Sequence, residues 1–119
     1  MSEPVAVRHW TDIASETVTQ GIERKYLTGD RITVAHFELK SGSIVPRHSH
    51  KSEQITQVLK GALKFAIDGR EIVLRAGDVL QIPSWMEHQV EVLEDAFVID
   101  VFSPIRQDWI DRTDAYFRR

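Results

Sequence analysis

Two histidines, His48 and His50, stand two residues apart within the stretch Gly42-Ser43-Ile44-Val45-Pro46-Arg47-His48-Ser49-His50-Lys51-Ser52-Glu53-Gln54, and a third, His88, lies far downstream. Side chains two apart on a strand project from the same face, with α-carbons roughly 6–7 Å apart. Two imidazoles leaning over that gap can share one metal ion at about 2.0–2.1 Å. Gln54, on the next strand, can add an amide oxygen to the ion or hydrogen-bond one of its ligands. His88 must arrive across a sheet or barrel through a non-local contact. The alternative for all three histidines is ordinary hydrogen bonding on an exposed sheet.

A second group lies near the C-terminus. Asp100 sits between Ile99 and Val101 in an otherwise apolar run. Alternation puts Val98, Asp100 and Phe102 on one face, and a buried carboxylate is costly unless something compensates it. A metal beside it inside a barrel is one compensation; an ion pair with Arg106 or Arg47 that holds the tail is the other. Arg106 is equally two-sided: it can clamp a substrate carboxylate with paired donors or anchor the C-terminal arm. His36, with Ile32 and Val34 on its face, reads as a packed histidine or cavity wall, and His9 as a surface residue. Trp10, Trp85 and Trp109 read as core or interface anchors rather than substrate platforms.

These groups need elements to position them. Arg31 to Lys40, Gln54 to Leu59, Ala62 to Ile67, Arg70 to Arg75 and Val79 to Ile82 read as strands, punctuated by Ser41-Gly42-Ser43, Lys60-Gly61, Asp68-Gly69, Ala76-Gly77-Asp78 and Pro83-Ser84. Asp68-Gly69 suits a tight type I′ hairpin turn. His88 to Leu93 and Ala96 to Phe102 are expected to form another hairpin around Glu94-Asp95. Many short strands at this spacing predict an all-β sandwich or barrel. Ile105, Trp109, Thr113 and Tyr116/Phe117 fall near helical spacing, with Asp108 and Arg112 placed for an i,i+4 pair, which predicts a short helix or ordered arm.

The length of 119 residues suits one domain over 1–119, and 42% hydrophobic with 28% charged residues suits a folded chain rather than a disordered one. A net charge of −3 with no basic stripe argues against nucleic acid. The absence of cysteine removes thiolate ligands and thiol nucleophiles, leaving histidine, carboxylate, amide and water for a metal. No apolar run has the length of a signal-peptide core or a membrane span, so a cytoplasmic protein without membrane partners is expected. Exposed sheet edges predict a homodimer, formed through the first 30 residues.

The residues now assembled resemble the two motifs of the cupin superfamily. Gly42, His48, His50, Gln54 and Gly61 match the first motif in register, with glutamine at the position of its acidic residue. Gly77, Pro83 and His88 match the second, with Trp85 in place of its glycine and Val92 in place of its asparagine. The match spans about residues 30–104, and the fifteen residues between Gly61 and Gly77 are typical of small single-domain members. The resemblance implies a double-stranded β-helix, or jelly-roll, barrel with a metal inside.

A narrower similarity adds Asp100-Val101-Phe102-Ser103-Pro104-Ile105-Arg106 to His48-Ser49-His50 and Glu53-Gln54. This set looks like that of the small cupins that linearise unsaturated uronates in pectin and alginate breakdown. It departs from them at Lys51-Ser52, where Pro-His is common, and at Gln57, where an aromatic residue is frequent. The similarity implies His48, His50, Gln54 and His88 as ligands of one divalent transition metal ion (Fe, Mn, Ni, Zn, Co or Cu). It implies Asp100 and Arg106 as catalytic residues, and Phe102 and Arg106 as contacts to a small anionic substrate such as a sugar acid. Replacing the acidic ligand by Gln54 leaves the ion's charge uncompensated, which favours Lewis-acid work on anionic ligands over oxygen chemistry. The expected reaction is a non-redox ring opening or isomerisation. An iron dioxygenase, a non-catalytic sugar-binding or sensor module, and a purely structural metal-free barrel are the other classes.

Overall fold

The structure is a computed structural model that describes residues 5–114. Eight strands follow a single 3-10 turn at Trp10–Asp12: β1 Glu16–Thr19, β2 Ile22–Thr28, β3 Thr33–Leu39, β4 Ile44–His48, β5 Glu53–Ile67, β6 Arg70–Arg75, β7 Val79–Ile82 and β8 His88–Ser103. The chain then forms a one-turn helix, α1, at Gln107–Ile110. All strand pairing is antiparallel. No helix among the described residues is long and apolar enough to cross a membrane.

β5 and β8 form the spine. They pair along their whole length, from Glu53↔Ser103 to Ile67↔His88. On one half of this ribbon β3 pairs with β8 and β7 with β5; on the other half β4 pairs with β8 and β6 with β5. The ribbon therefore belongs to two layers, and curling it brings them face to face. Phe37, Leu39 and Val98 from one half line the same cavity as Leu63, Phe65 and Val90 from the other. β2 and β1 extend the first layer beyond β3.

Two expected breaks are not breaks. Lys60-Gly61 does not end a strand; β5 runs through it with a bulge, where the pairing register shifts between Val58 and Leu63. The extra residue inverts the alternation, so Gln54, Thr56 and Val58 face inward before it and Leu63, Phe65 and Ile67 after it. Gly61 has φ +85, and a Cβ there would lie 2.2 Å from the Asp95 carbonyl oxygen. Glu94-Asp95 likewise does not form a hairpin turn: β8 is continuous, and this segment is stitched instead to the loop after β3. Asp95 Oδ1 accepts the Ser41 amide at 2.8 Å, and the Leu93 carbonyl accepts the Ser41 hydroxyl at 3.0 Å. The Asp68-Gly69 hairpin does form, with φ of 53° and 70° at the two residues, as a type I′ turn requires.

As far as Asp114 the C-terminal arm packs on the barrel, with Trp109 and Asp114 buried, but its helix is a single turn. Arg112 adopts φ 57°, which ends helical geometry, so the Asp108–Arg112 pair does not form. Arg112 reaches Glu16 at 3.6 Å, while Asp108 pairs with Arg106. Tyr116 and Phe117 lie outside the described residues.

Candidate metal centre and substrate cavity

His48 ends β4 and stands opposite His88, which opens β8; His50 follows in the loop leading to β5. One nitrogen from each of the three rings falls within 4.8 Å of the others, a group able to hold a metal ion. Each ring is oriented in the same way. Nδ1 of His48, His50 and His88 faces the carbonyl of Pro46, Ser52 and Met86, at 2.8, 2.9 and 2.9 Å. A carbonyl only accepts, so each Nδ1 carries the proton and each Nε2 keeps its lone pair. Backbone carbonyls that fix the tautomer are a recurring support of histidine metal ligands.

The remaining observations fit a cation. Among the described residues, His88 Nε2 is buried without a hydrogen-bond partner. Gln54, on β5, points its Nε2 to Thr56 Oγ1 at 2.8 Å, which turns its Oε1 toward His50 Nε2 at 3.0 Å. With His50 protonated on Nδ1, that approach sets two lone pairs against each other, a conflict that a bound cation removes. Burial, reinforced by the neighbouring His88, pushes the His48 imidazole down to about 3. Burial and then the Arg106 charge push His50 down to about 4, and burial lowers His88 as well. Neutral imidazoles are the form that binds metal.

His48, Gln54 and His88 line a cavity of about 50 Å³ shared with Thr56, Asp100, Phe102, Arg106 and Trp109. Asp100 is buried on β8 opposite Thr56 of β5. Burial raises its carboxyl to about 6, against the opposing pull of Thr56, Arg106 and Gln54. No ion pair to Asp100 forms among the described residues. Arg47 is exposed, and Arg106 directs Nε and Nη2 to the two carboxylate oxygens of Asp108 at 2.9 and 2.7 Å. Burial alone would raise Asp108; the Arg106 bond and charge outweigh it and lower it. The Arg106 guanidinium also lies 4.7 Å from the Phe102 ring centroid.

The cavity thus gathers every residue named from the sequence as a metal ligand, catalytic group or substrate contact except His50, whose ring packs on Phe102 at 5.6 Å. His36 is a packed histidine on the outer face, stacked on Trp10 at 3.6 Å, and does not line the cavity. His9 is exposed and caps the 3-10 turn. Trp85 is neither core nor cavity: it is 64% exposed with φ +64, a glycine-like backbone at the motif position where a glycine is usual. Thr56 and Trp109 were not anticipated as cavity residues. Thr56 was within reach, since it shares the inward phase of Gln54 two residues away.

The cupin domain family matches residues 35–102, more than half the chain and the span that carries all four candidate ligands. The chain belongs to the cupin family. This cupin is 31% identical over 98 residues to the pectin degradation protein KdgF of Dickeya dadantii, covering 80% of this chain and 89% of that protein. The solved structure of KdgF from a Halomonas species superposes with a TM-score of 0.77 at 29% identity, covering 83% of this chain and 94% of that one. An RmlC-like cupin from Shewanella frigidimarina has the same fold, with a TM-score of 0.82 over 92% of this chain and 99% of its own, at 24% identity. The all-β jelly-roll barrel expected from the motifs is therefore the fold of this chain.

Proposed function

We propose that this cupin is a single-domain, metal-dependent enzyme that opens the ring of an unsaturated uronate without redox change. The observation that carries the reading is the meeting of the histidine cluster, two of whose members line the cavity, with a carboxyl group in that cavity raised by burial to about 6. The relationship to two KdgF proteins, one named for pectin degradation, supports the substrate class.

In this reading His48, His50, Gln54 and His88 hold one divalent ion. When bound, the ion supplies Lewis-acid polarisation of substrate oxygens. Arg106 exchanges part of its contact with Asp108 for the substrate carboxylate, which its paired donors suit. Phe102 walls the pocket and keeps water from the reacting face. Asp100, raised to about 6, can both hold and release a proton near neutral pH. It takes the proton of the anomeric hydroxyl as the bond from that carbon to the ring oxygen breaks. An aldehyde and an enolate result, and return of that proton from Asp100 to the enolate carbon gives the ketone, so the product is an isomer of the substrate.

The test is elemental analysis of the purified protein, followed by incubation with unsaturated galacturonate while the ultraviolet absorbance of its double bond is followed. Loss of absorbance that requires both metal and Asp100 is expected. Unchanged absorbance with metal loaded would retire the uronate proposal, and oxygen uptake during turnover would move the assignment to a dioxygenase. The chain is proposed to act in the cytoplasm as a homodimer, which size-exclusion chromatography tests directly.

A further inference from the structure

Three buried side-chain polar atoms have no hydrogen-bond partner among the described residues: His88 Nε2, Asp100 Oδ1 and Trp109 Nε1. All three residues line the same cavity. The proposed reaction employs the first two and leaves the third unexplained. A buried N–H without an acceptor is costly, and an all-carbon ring at this position would not carry that cost.

The indole is also held in place. It is 3% exposed and packs edge-on to Phe102 at 5.0 Å, Tyr26 at 5.3 Å and Phe37 at 6.0 Å. The guanidinium carbons of Arg24 and Arg106 lie 4.1 and 4.4 Å from its ring centroid. Arg24 is itself fixed, donating to Glu16 and to the buried Asp114. The ring therefore cannot readily turn its N–H to another acceptor, and two cations near its π system draw electron density from it and strengthen the N–H as a donor.

We infer that Trp109 is a substrate-positioning residue, its indole N–H donating to a carboxylate oxygen of the bound sugar acid. Trp109 and Arg106 line the same cavity of about 50 Å³, so a carboxylate held there meets both. Trp109 and Arg106 then recognise the same carboxylate, one by a directed neutral donor and the other by charge. This role rests on the uronate reading of the cavity.

The test uses zinc-loaded protein labelled with ¹⁵N at its three tryptophans and titrated with D-galacturonate. The indole resonance missing from Trp109→Phe is expected to move saturably with galacturonate, and not with zinc alone or with neutral galactose. Trp109→Phe is expected to bind galacturonate at least about ten-fold more weakly, with zinc content unchanged. If that variant does not fold, Trp10→Phe and Trp85→Phe assign the remaining signal by elimination. A Trp109 resonance unmoved by galacturonate, or wild-type affinity in Trp109→Phe, overturns the inference. A saturable shift in a protein that leaves unsaturated galacturonate unconverted overturns the proposed reaction and leaves the role of Trp109 standing.

Discussion

His48 and His88 face each other across the β4–β8 ladder with ring centroids 4.3 Å apart, although forty residues separate them in the chain. Their Nδ1 atoms are committed to the Pro46 and Met86 carbonyls, so any shared cation must be taken on the opposite ring edge. Substituting either by alanine should lower metal affinity by more than about 100-fold while the barrel stays folded, since loss of a supporting contact alone costs 10–100-fold. Metal titration with circular dichroism checks this; unchanged affinity in either variant would remove that histidine from the site.

The histidines also set the acid limit of metal binding. An ordinary imidazole would surrender metal below about pH 6. Burial shifts this downward, because His48 and His50 take up protons only near 3 and 4. Metal content measured after dialysis should therefore persist at pH 5 and fall as pH approaches 4. Release centred near pH 6.5 would show imidazoles in contact with water.

Asp100 should leave its mark on the metal-free protein. Its carboxyl rises from 3.8 to about 6 on folding, so between those values the folded chain binds a proton that the unfolded chain releases. Stability therefore falls as pH rises through that window, by on the order of 3 kcal/mol. Asp100→Asn should flatten this part of the curve and stabilise the metal-free protein at pH 7, while abolishing turnover. Urea melts at several pH values decide it; an unchanged slope would mean that Asp100 is not the group titrating.

Arg106→Lys keeps the charge but loses the planar fork. The KM for an unsaturated uronate should rise about 10–100-fold with a smaller change in kcat. An unchanged KM with a lowered melting temperature would leave Arg106 as an anchor of the arm through Asp108.

Gly61→Ala should destabilise the fold by at least about 2 kcal/mol. The new methyl would meet backbone rather than a movable side chain, with the Asp95 carbonyl oxygen at 2.2 Å and the Ala96 Cα at 2.7 Å. Thermal melts of the variant test this, and a wild-type melting temperature would contradict the close crossing of β5 and β8.

The strands most legible in sequence are those whose alternation is uninterrupted, such as β3 and the β5–β6 hairpin with its Asp-Gly turn. β1 and β2 are not legible in the sequence because Arg24 occupies an inward position where an apolar residue would be expected. Glu16 and Asp114, from two distant parts of the chain, make that burial tolerable. Gly61 and Glu94-Asp95 look like turns because their composition matches turns. A bulge uses the same positive φ without ending the strand.

By itself the sequence determined which groups were available for chemistry: three histidines in register with a glutamine, no thiols, and a lone carboxylate in an apolar run. It determined the barrel through period-two alternation and its punctuating turns, because those signals are local. Tertiary structure alone decided that Asp100 has no ion pair among the described residues and that Arg106 is engaged by Asp108. It also decided that Trp109, from the C-terminal arm, lines the cavity with its indole N–H unpaired among the described residues. Burial and partner are properties of distant segments brought together, and no short window of residues carries them.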